Sequence, residues 1–134
     1  MKVNSGFGPI DIAISGMRAQ GQNMELISSN VANAQSVDNG DGKPYRRVEA
    51  NFRTDGDKIG GVRVDDINID TSDFPRVLKP GHPQSDAQGY LSMPNVDVPT
   101  EMINLSTAVR TYQANAAVLK RYQGMVETTL ELLR

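Results

Sequence analysis

The sequence predicts a mainly α fold: long N- and C-terminal helices packed as a coiled coil, with a small β- and turn-rich insert between them. Two apolar stripes of helical period, one near each end of the 134-residue chain, indicate the helices. Turn dipeptides and closely spaced prolines between them indicate the insert. We therefore divide the chain into an N-terminal helical segment (1–35), a β- and turn-rich middle segment (36–98) and a C-terminal heptad helix (99–134). The two helices are expected to form one structural unit.

The N-terminal helix is predicted to begin at Pro9, because proline suits the first helical position. Apolar residues then recur at steps of three and four, and those expected to pack against the other helix are Ile10, Ile14, Met17, Met24, Ile27 and Val31. Gly16 and Gly21 interrupt this helix, at a cost of up to about 1 kcal/mol each relative to Ala. Either they are simply tolerated, or a second helix passes close there. The helix should end near Asn30 and Asn33, which cap it or bridge to a neighbour.

The C-terminal helix carries the most regular pattern of the sequence. Steps of three and four alternate without a break through ten positions, one of them polar: Met102, Leu105, Val109, Tyr112, Ala116, Leu119, Gln123, Val126, Leu130 and Leu133. Such a repeat over more than about four heptads is typical of a coiled-coil seam. The residues expected to pack and to mediate assembly are Met102, Leu105, Val109, Tyr112, Leu119, Val126 and Leu130. A helix over 100–133, capped by Asp97 or Thr100, is roughly 50 Å long and must lie against another long helix, in the same chain or in another.

The middle segment is predicted to consist of turns and short strands. The dipeptides Asn39-Gly40, Asp41-Gly42 and Asp55-Gly56 are typical of turns, because glycine accepts a positive φ. Residues 45–52, 61–65 and 67–70 have the composition or the alternation of strands. The stretch 74–99 contains five prolines and is therefore expected to be extended and irregular.

The residue types argue against several kinds of active or binding site. Lys and Arg number 14 and Asp and Glu 16, so the basic excess of a nucleic-acid-binding domain is missing. There is no cysteine, and the single histidine, His82, stands in a Pro-Gly-His-Pro segment. The acidic segments 38–41 and 55–57 lack the ligand spacing of a calcium loop. We therefore expect no catalytic residue, metal, cofactor or small-molecule ligand, and neither a secretory signal nor a membrane-spanning helix.

Several segments resemble a known family. Residues 27–34, Ile-Ser-Ser-Asn-Val-Ala-Asn-Ala, resemble the N-terminal signature of the axial rod and hook proteins of the bacterial flagellum. The resemblance is narrowed to one proximal-rod branch of that family, in preference to its sister branch FlgB, by five further segments: residues 44–47, 80–83, 89–90, 93–97 and 106–115. The matching residues are Ser29, Asn30, Asn33, Pro44, Tyr45, Gly81, Gly89, Tyr90, Pro94, Asn95, Asp97, Gln113 and Asn115. Gly21 and Pro99 depart from the usual family pattern.

The resemblance implies an assembly function. It implies a structural subunit of the proximal rod, stacked helically into the periplasmic drive shaft that transmits torque from motor to hook and filament. The implied partners are further copies of the same subunit, the rod proteins FlgB and FlgF, the rod-base adaptor FliE and the flagellar type III export apparatus, which exports the chain without a cleaved signal. Three alternatives stay open at this point: another rod subunit similar to FlgB, a non-flagellar coiled-coil adaptor, and an enzyme that remodels peptidoglycan.

Overall fold

The computed structural model describes residues 8–55 and 60–133. In this part of the chain, helix α1 (Pro9–Ala32) is followed by strands β1 (Val48–Asp55), β2 (Gly61–Ile69), β3 (Arg76–Leu78) and β4 (Tyr90–Ser92), and then by helix α2 (Val98–Leu132). The strands form two antiparallel pairs, β1–β2 and β3–β4. The predicted arrangement of long N- and C-terminal helices with a small strand-containing insert between them is therefore confirmed.

Short-range polar contacts define the helix ends. Pro9 occupies the first turn of α1, and Gly8 N donates to the Asp11 carboxylate at 3.2 Å. At the other end Asn33 Nδ2 donates to the carbonyl of Ser29 at 2.9 Å, so Asn33 caps the helix. Helix α2 begins after Asp97, whose carboxylate accepts from Thr100 N at 3.2 Å. Asp97, and not Thr100, is thus the N-cap.

The two helices pack antiparallel. Asn30 near the end of α1 contacts Glu101 at the start of α2, and Gly16 lies against Asn115 further along. The buried and half-buried residues of α2 are Glu101, Asn104, Leu105, Ala108, Tyr112, Asn115, Ala116, Leu119 and Tyr122. All but Asn104 and Ala116 follow alternating steps of four and three, which is the predicted period, while coiled-coil packing itself stays a prediction.

The face that α2 turns toward α1 differs from the predicted one at every second position. Leu105, Tyr112 and Leu119 are shared, but Glu101 and Ala108 take the places expected for Met102 and Val109, which are 52% and 36% exposed. The contact row includes the small Ala108 and the polar Glu101 and Asn115, and Asn115 lies against Gly16. The apolar pattern therefore predicted the neighbouring row of residues, which includes Met102 and Val109 and lies on the flank of the contact between α2 and α1.

The C-terminal end of α2 projects beyond the described part of α1. The antiparallel register places Gln123 beside Gly8, so the last ten or so residues of α2, about 15 Å of helix, extend past it. We call residues 124–133 the α2 tip. Val126 and Leu130, both predicted to pack against α1, lie in this tip and are 44% and 62% exposed. In the single chain they do not contact the described residues of α1, and packing in an assembly remains a prediction for them.

The β1–β2 hairpin packs against α1. Its strands pair from Val48 with Ile69 to Asp55 with Gly61, with a bulge between Asn51 and Phe52. Ser15 Oγ of α1 accepts a hydrogen bond from Val62 N at 3.0 Å, which holds β2 against the helix. The two strand segments predicted between 61 and 70 are one continuous strand.

The second strand pair is a correction to the sequence prediction. The stretch 74–99 is not irregular throughout, since β3 and β4 pair from Arg76 with Ser92 to Leu78 with Tyr90. Strand β3 fits between Pro75 and Pro80, because three residues are enough to form a short antiparallel pair with β4. The turn predictions at Gly40 and Gly42 are confirmed by φ values of 97° and 74°, whereas the Asp55-Gly56 turn reaches outside the described residues.

The two glycines of α1 are expected to respond differently to alanine. Around Gly21 an added Cβ meets nothing within 4 Å, so Gly21→Ala should raise the free energy of unfolding by about 0.5–1 kcal/mol. At Gly16 the same Cβ would lie 2.6 Å from Asn115 Nδ2, so the gain should be lost. Urea unfolding followed by circular dichroism compares the two. Equal stabilisation by both variants would show that the close approach does not require glycine.

Candidate functional site

A buried polar cluster joins the three parts of the fold. We call Asn30, Tyr45, Arg47, Asn95 and Glu101 the polar clasp. Asn30 comes from the end of α1, and Tyr45 and Arg47 come from the segment that leads into β1. Asn95 lies in the segment before α2, and Glu101 lies in the first turns of α2. Asn30 and Glu101 are both 0% exposed. Buried polar side chains of this kind are costly unless they are hydrogen-bonded, so their partners decide what the cluster does.

Asn30 is bonded through both ends of its amide. Its Nδ2 donates to Val48 O at 2.7 Å and to Glu101 Oε2 at 2.9 Å, while its Oδ1 accepts from Val48 N at 3.0 Å and from Tyr45 OH at 3.0 Å. The amide thus pairs with the first residue of β1 as another strand would. Within the single chain Asn30 thus bridges α1 to β1 and α2, a role that differs from the expected helix cap, and a bridge to a neighbour stays a prediction.

Glu101 and Arg47 form a largely buried ion pair. Arg47 Nε donates to Glu101 Oε1 at 2.8 Å, and the Arg47 side chain is 20% exposed. Its Nη1 donates to the exposed Glu49 at 2.8 Å and lies 3.9 Å from Asp70. Charged groups removed from water are tolerated only when they are paired and hydrogen-bonded, as both are here.

Asn95 links the clasp to the other end of the hairpin. Its Oδ1 accepts from Arg47 N at 2.9 Å, and its Nδ2 donates to Asp70 O at 3.1 Å and to Ser72 Oγ at 2.9 Å. The backbone N–H of Ser72 also lowers the pKa of the Asp70 carboxyl, with a further contribution from the Ser72 hydroxyl. The entry to β1 and the exit from β2 are therefore bound to the segment that leads into α2.

The clasp is suited to holding the helices and the hairpin in one arrangement. Its buried side-chain N and O atoms all have hydrogen-bond partners within the chain. Among residues 8–55 and 60–133 no three His, Asp or Glu side chains are grouped to hold a metal ion. Over the same residues no helix has both the length and the apolar character to cross a membrane. The arrangement is that of a structural joint.

The residues of the family resemblance lie in several places. Asn30, Tyr45 and Asn95 belong to the clasp, and Ser29 Oγ lies 3.4 Å from Tyr45 OH. Pro44 precedes Tyr45, Asn33 and Asp97 are caps, Pro94 is buried, Asn115 faces Gly16, and Gln113 is exposed. Gly81 and Gly89 have φ values of 92° and 83° and form turns of the β3–β4 segment. The sequence analysis assigned no role to Arg47 and did not predict that Glu101 is buried. The signal that could have indicated its burial is the seven-residue spacing from Glu101 through Ala108 and Asn115 to Tyr122.

Asp86 organises the loop between β3 and β4. Its Oδ1 accepts from the backbone N–H of Gln88 and of Tyr90, each at 2.9 Å, and its other oxygen pairs with Arg76, whose guanidinium stacks on the Tyr90 ring. These contacts, led by the Tyr90 N–H, hold the pKa of the Asp86 carboxyl below its usual 3.8.

This loop is therefore expected to lose order in acid. A lowered folded-state pKa contributes stability that is complete above the unfolded pKa and is lost as the pH falls through the folded value, here from about pH 4 downward. The protection of the Gln88 and Tyr90 amides against exchange, measured by NMR and expressed relative to the intrinsic rate at each pH, should fall over that range. Asp86→Asn should remove the pH dependence, and an unchanged titration in that variant would assign the effect to another group.

As far as residues 8–55 and 60–133 show, the side of the helix pair opposite the hairpin is apolar and open. Two rows of residues at seven-residue spacing run along it, Ile10, Met17, Met24 and Val31 on α1 and Met102, Val109, Ala116 and Gln123 on α2. In the antiparallel register each residue of one row lies beside one of the other. All eight are half-buried or exposed, and we call this surface the uncovered face. Of the other predicted α1 packing residues, Ile27 is buried and Ile14 is half-buried on the side of β2.

Comparison with known proteins identifies the family. Residues 10–39 match the family described as flagella basal body rod protein, and residues 87–132 match the one described as flagellar basal body rod FlgEFG protein C-terminal. Relatives that carry the name flagellar basal-body rod protein FlgC cover almost the whole chain. That from Yersinia enterocolitica is 45% identical over 125 residues, 91% of this chain and 93% of its own length.

Two further relatives of that name give the same assignment. The protein of Escherichia coli O6:H1 is 44% identical over 91% of this chain and 93% of its own length, and that of Bacillus subtilis is 31% identical over 96% and 98%. These matches remove the non-flagellar adaptor from consideration and favour this branch over FlgB. The chain belongs to the FlgC family of flagellar basal-body rod proteins and is a structural subunit of the rod.

Proposed function

We propose that the chain is a subunit of the proximal rod in the periplasm and that it stacks helically to transmit torque from motor to hook and filament. The observation that carries this proposal is the uncovered face, a long apolar surface on two helices that the described part of the chain leaves open. Apolar surfaces of this extent are typical of sites where proteins associate. A shaft under torsion needs subunits of one shape, and the buried polar clasp supplies a joint between helices and hairpin.

The proposed partners are the neighbours of such a subunit. They are further copies of the chain, the rod proteins FlgB and FlgF, the rod-base adaptor FliE, and the type III export apparatus, which would deliver the chain without a cleaved signal. In the assembled rod we expect the heptad residues of α2, Val126 and Leu130 included, to complete coiled-coil packing against helices of neighbours. The relatives' names support assembly in the basal-body rod, and the identity of each neighbouring protein is part of the proposal.

Basal-body incorporation tests the proposal. The gene is deleted from a motile bacterium, and the deletion strain is complemented with the wild-type chain or with Val109→Glu, which places a charge on the uncovered face. We expect the wild type to restore swimming and to appear in the proximal rod of a cryo-image reconstruction of purified basal bodies, and the variant to fail in both. Asn51→Glu, exposed on the hairpin, is the matched control. Wild-type protein found only outside the proximal rod would contradict the assignment.

A peptidoglycan-remodelling activity remains a separate question for a protein that crosses the cell wall. Nothing in the clasp, whose buried polar atoms all have hydrogen-bond partners within the chain, favours it. Zymography of the purified chain on cell-wall substrate is expected to show no cleared band, and a cleared band would add an enzymatic role.

A further inference from the structure

The turn at residues 38–42 contains a dipeptide with a chemistry of its own. Asn39 is the one asparagine of the sequence that is followed by glycine, and both Asn39 and Gly40 are exposed. In such a pair the backbone nitrogen of the glycine can attack the side-chain amide of the asparagine, because glycine has no side chain to hinder the approach. The sequence therefore places a dipeptide prone to deamidation in the loop between α1 and β1.

The Asp38 carboxylate binds the nitrogen that would make this attack. Its Oδ1 accepts from Gly40 N at 2.8 Å and from Gly42 N at 2.9 Å, and its Oδ2 accepts from Gln84 Nε2 at 2.9 Å. These bonds, led by the one from Gly40, lower the pKa of the Asp38 carboxyl below its usual 3.8, so the group is ionised at neutral pH. Hydrogen bonds to an ionised acceptor are stronger than those between neutral groups, and the Gly40 N–H is held accordingly.

This hydrogen bond opposes the attack in two ways. The Gly40 N–H is directed at Asp38, so the nitrogen would have to give up this partner before it could turn toward the Asn39 side chain. The nitrogen must also lose its proton to react, and a negative charge beside it disfavours that loss. On the other side of Asn39, the Asn39 N–H donates to Lys43 O at 2.9 Å. Both peptide units that flank the Asn39 side chain are therefore fixed.

We propose that Asn39 is a site of spontaneous deamidation and that Asp38, through its bond to the Gly40 N–H, keeps the reaction slow in the folded chain. When the turn opens, Gly40 N gives its proton to hydroxide and forms a bond to Asn39 Cγ. The bond from Cγ to the side-chain nitrogen then breaks, and this nitrogen takes a proton from water and leaves as ammonia. Water opens the resulting five-membered imide to an aspartate or an isoaspartate. Either product adds a negative charge between Asp38 and Asp41.

Ageing of the full-length chain in mildly alkaline buffer, with and without guanidinium chloride, tests the site and its protection. Tandem mass spectrometry follows the conversion of Asn39, with Asn51, exposed but followed by phenylalanine, as the internal control. We expect Asn39 to react at least about tenfold more slowly in the folded chain, the factor that a hydrogen bond to a charged group supplies, and Asn51 to stay unconverted in both states. Equal rates for Asn39 in the two states would overturn the protection, and no conversion of Asn39 in guanidinium chloride would overturn the site.

Two single variants assign the protection to one carboxylate. Asp38→Ala should raise the rate in the folded chain by about tenfold. Asp41→Ala removes the same charge from the same turn, but Asp41 accepts from Lys43 N and not from Gly40, so the rate should hardly change.

Controls exclude indirect effects of the two variants. Both positions are exposed, so circular dichroism should show unchanged helix content and melting. In guanidinium chloride both variants should react as the wild type does, because the folded turn is then absent. An Asp38→Ala chain that reacts no faster than the wild type when folded, or equal acceleration by Asp41→Ala, would overturn the role of the Asp38 bond.

Discussion

Replacing Glu101 by alanine is expected to lower the free energy of unfolding by about 3 kcal/mol, because the change leaves Arg47 Nε and part of the Asn30 amide without their buried partner. For a domain of this size the melting temperature should fall by about 10 °C. Thermal unfolding of the purified chain, followed by circular dichroism at 222 nm, measures the effect.

The matched control is Glu49→Ala, which removes the other carboxylate bonded to Arg47. Glu49 is exposed, and exposed ion pairs contribute only about 0–1 kcal/mol, so the melting temperature should hardly move. Similar losses in the two variants would show that the buried position of Glu101 has no special weight. Arg47→Met with Glu101→Leu is also informative, because replacing both charges by apolar groups often restores stability.

The second large effect is expected from Leu119→Asp, which should abolish rod assembly and swimming while synthesis of the chain continues. Leu119 is half-buried on the side of α2 that faces α1, and a carboxylate there must either be desolvated or force the helices apart. Swimming rings in soft agar measure the outcome, and immunoblots of whole cells measure the amount of protein.

Gln113→Asp provides the comparison for Leu119→Asp. It adds the same charge to the same helix at an exposed position, so swimming should be retained. Normal swimming by cells that carry Leu119→Asp at full protein level would contradict the assigned helix contact. Loss of swimming in both variants would mean that any added acid on α2 is harmful.

Much of the fold could be predicted because its signals are local. Pro9 and Asp97 mark the starts of the helices through contacts spanning a few residues, and Gly40 and Gly42 mark turns through their backbone freedom. The strands β3 and β4 escaped prediction because proline density outweighs three residues of alternation. The α2 contact face was predicted one residue away at alternate positions, because an apolar pattern favours Met102 and Val109 over Glu101 and Ala108.

The clasp could not be predicted because it depends on distant residues. An acid in the first helical turn has an ordinary role beside the helix dipole, and the seven-residue spacing from Glu101 to Ala108, Asn115 and Tyr122 is the one sequence signal of its burial. Asn30 likewise resembles a residue of a helix end, and only the returning hairpin makes it a bridge. The family resemblance pointed to Asn30, Tyr45 and Asn95, but their physical role follows from the folded geometry.

The distance along the chain between Asn30 and Glu101 sets a waiting time during synthesis. The two residues are 71 positions apart, and a ribosome adding about 5–20 residues per second takes roughly 4–14 s to bridge that interval. Over this period Asn30 has no Glu101 to bond, and the apolar side of α1 has no α2 to cover it. The nascent chain thus passes through a stage of several seconds in which its first third is available to chaperones and to any machinery that binds unfolded substrates.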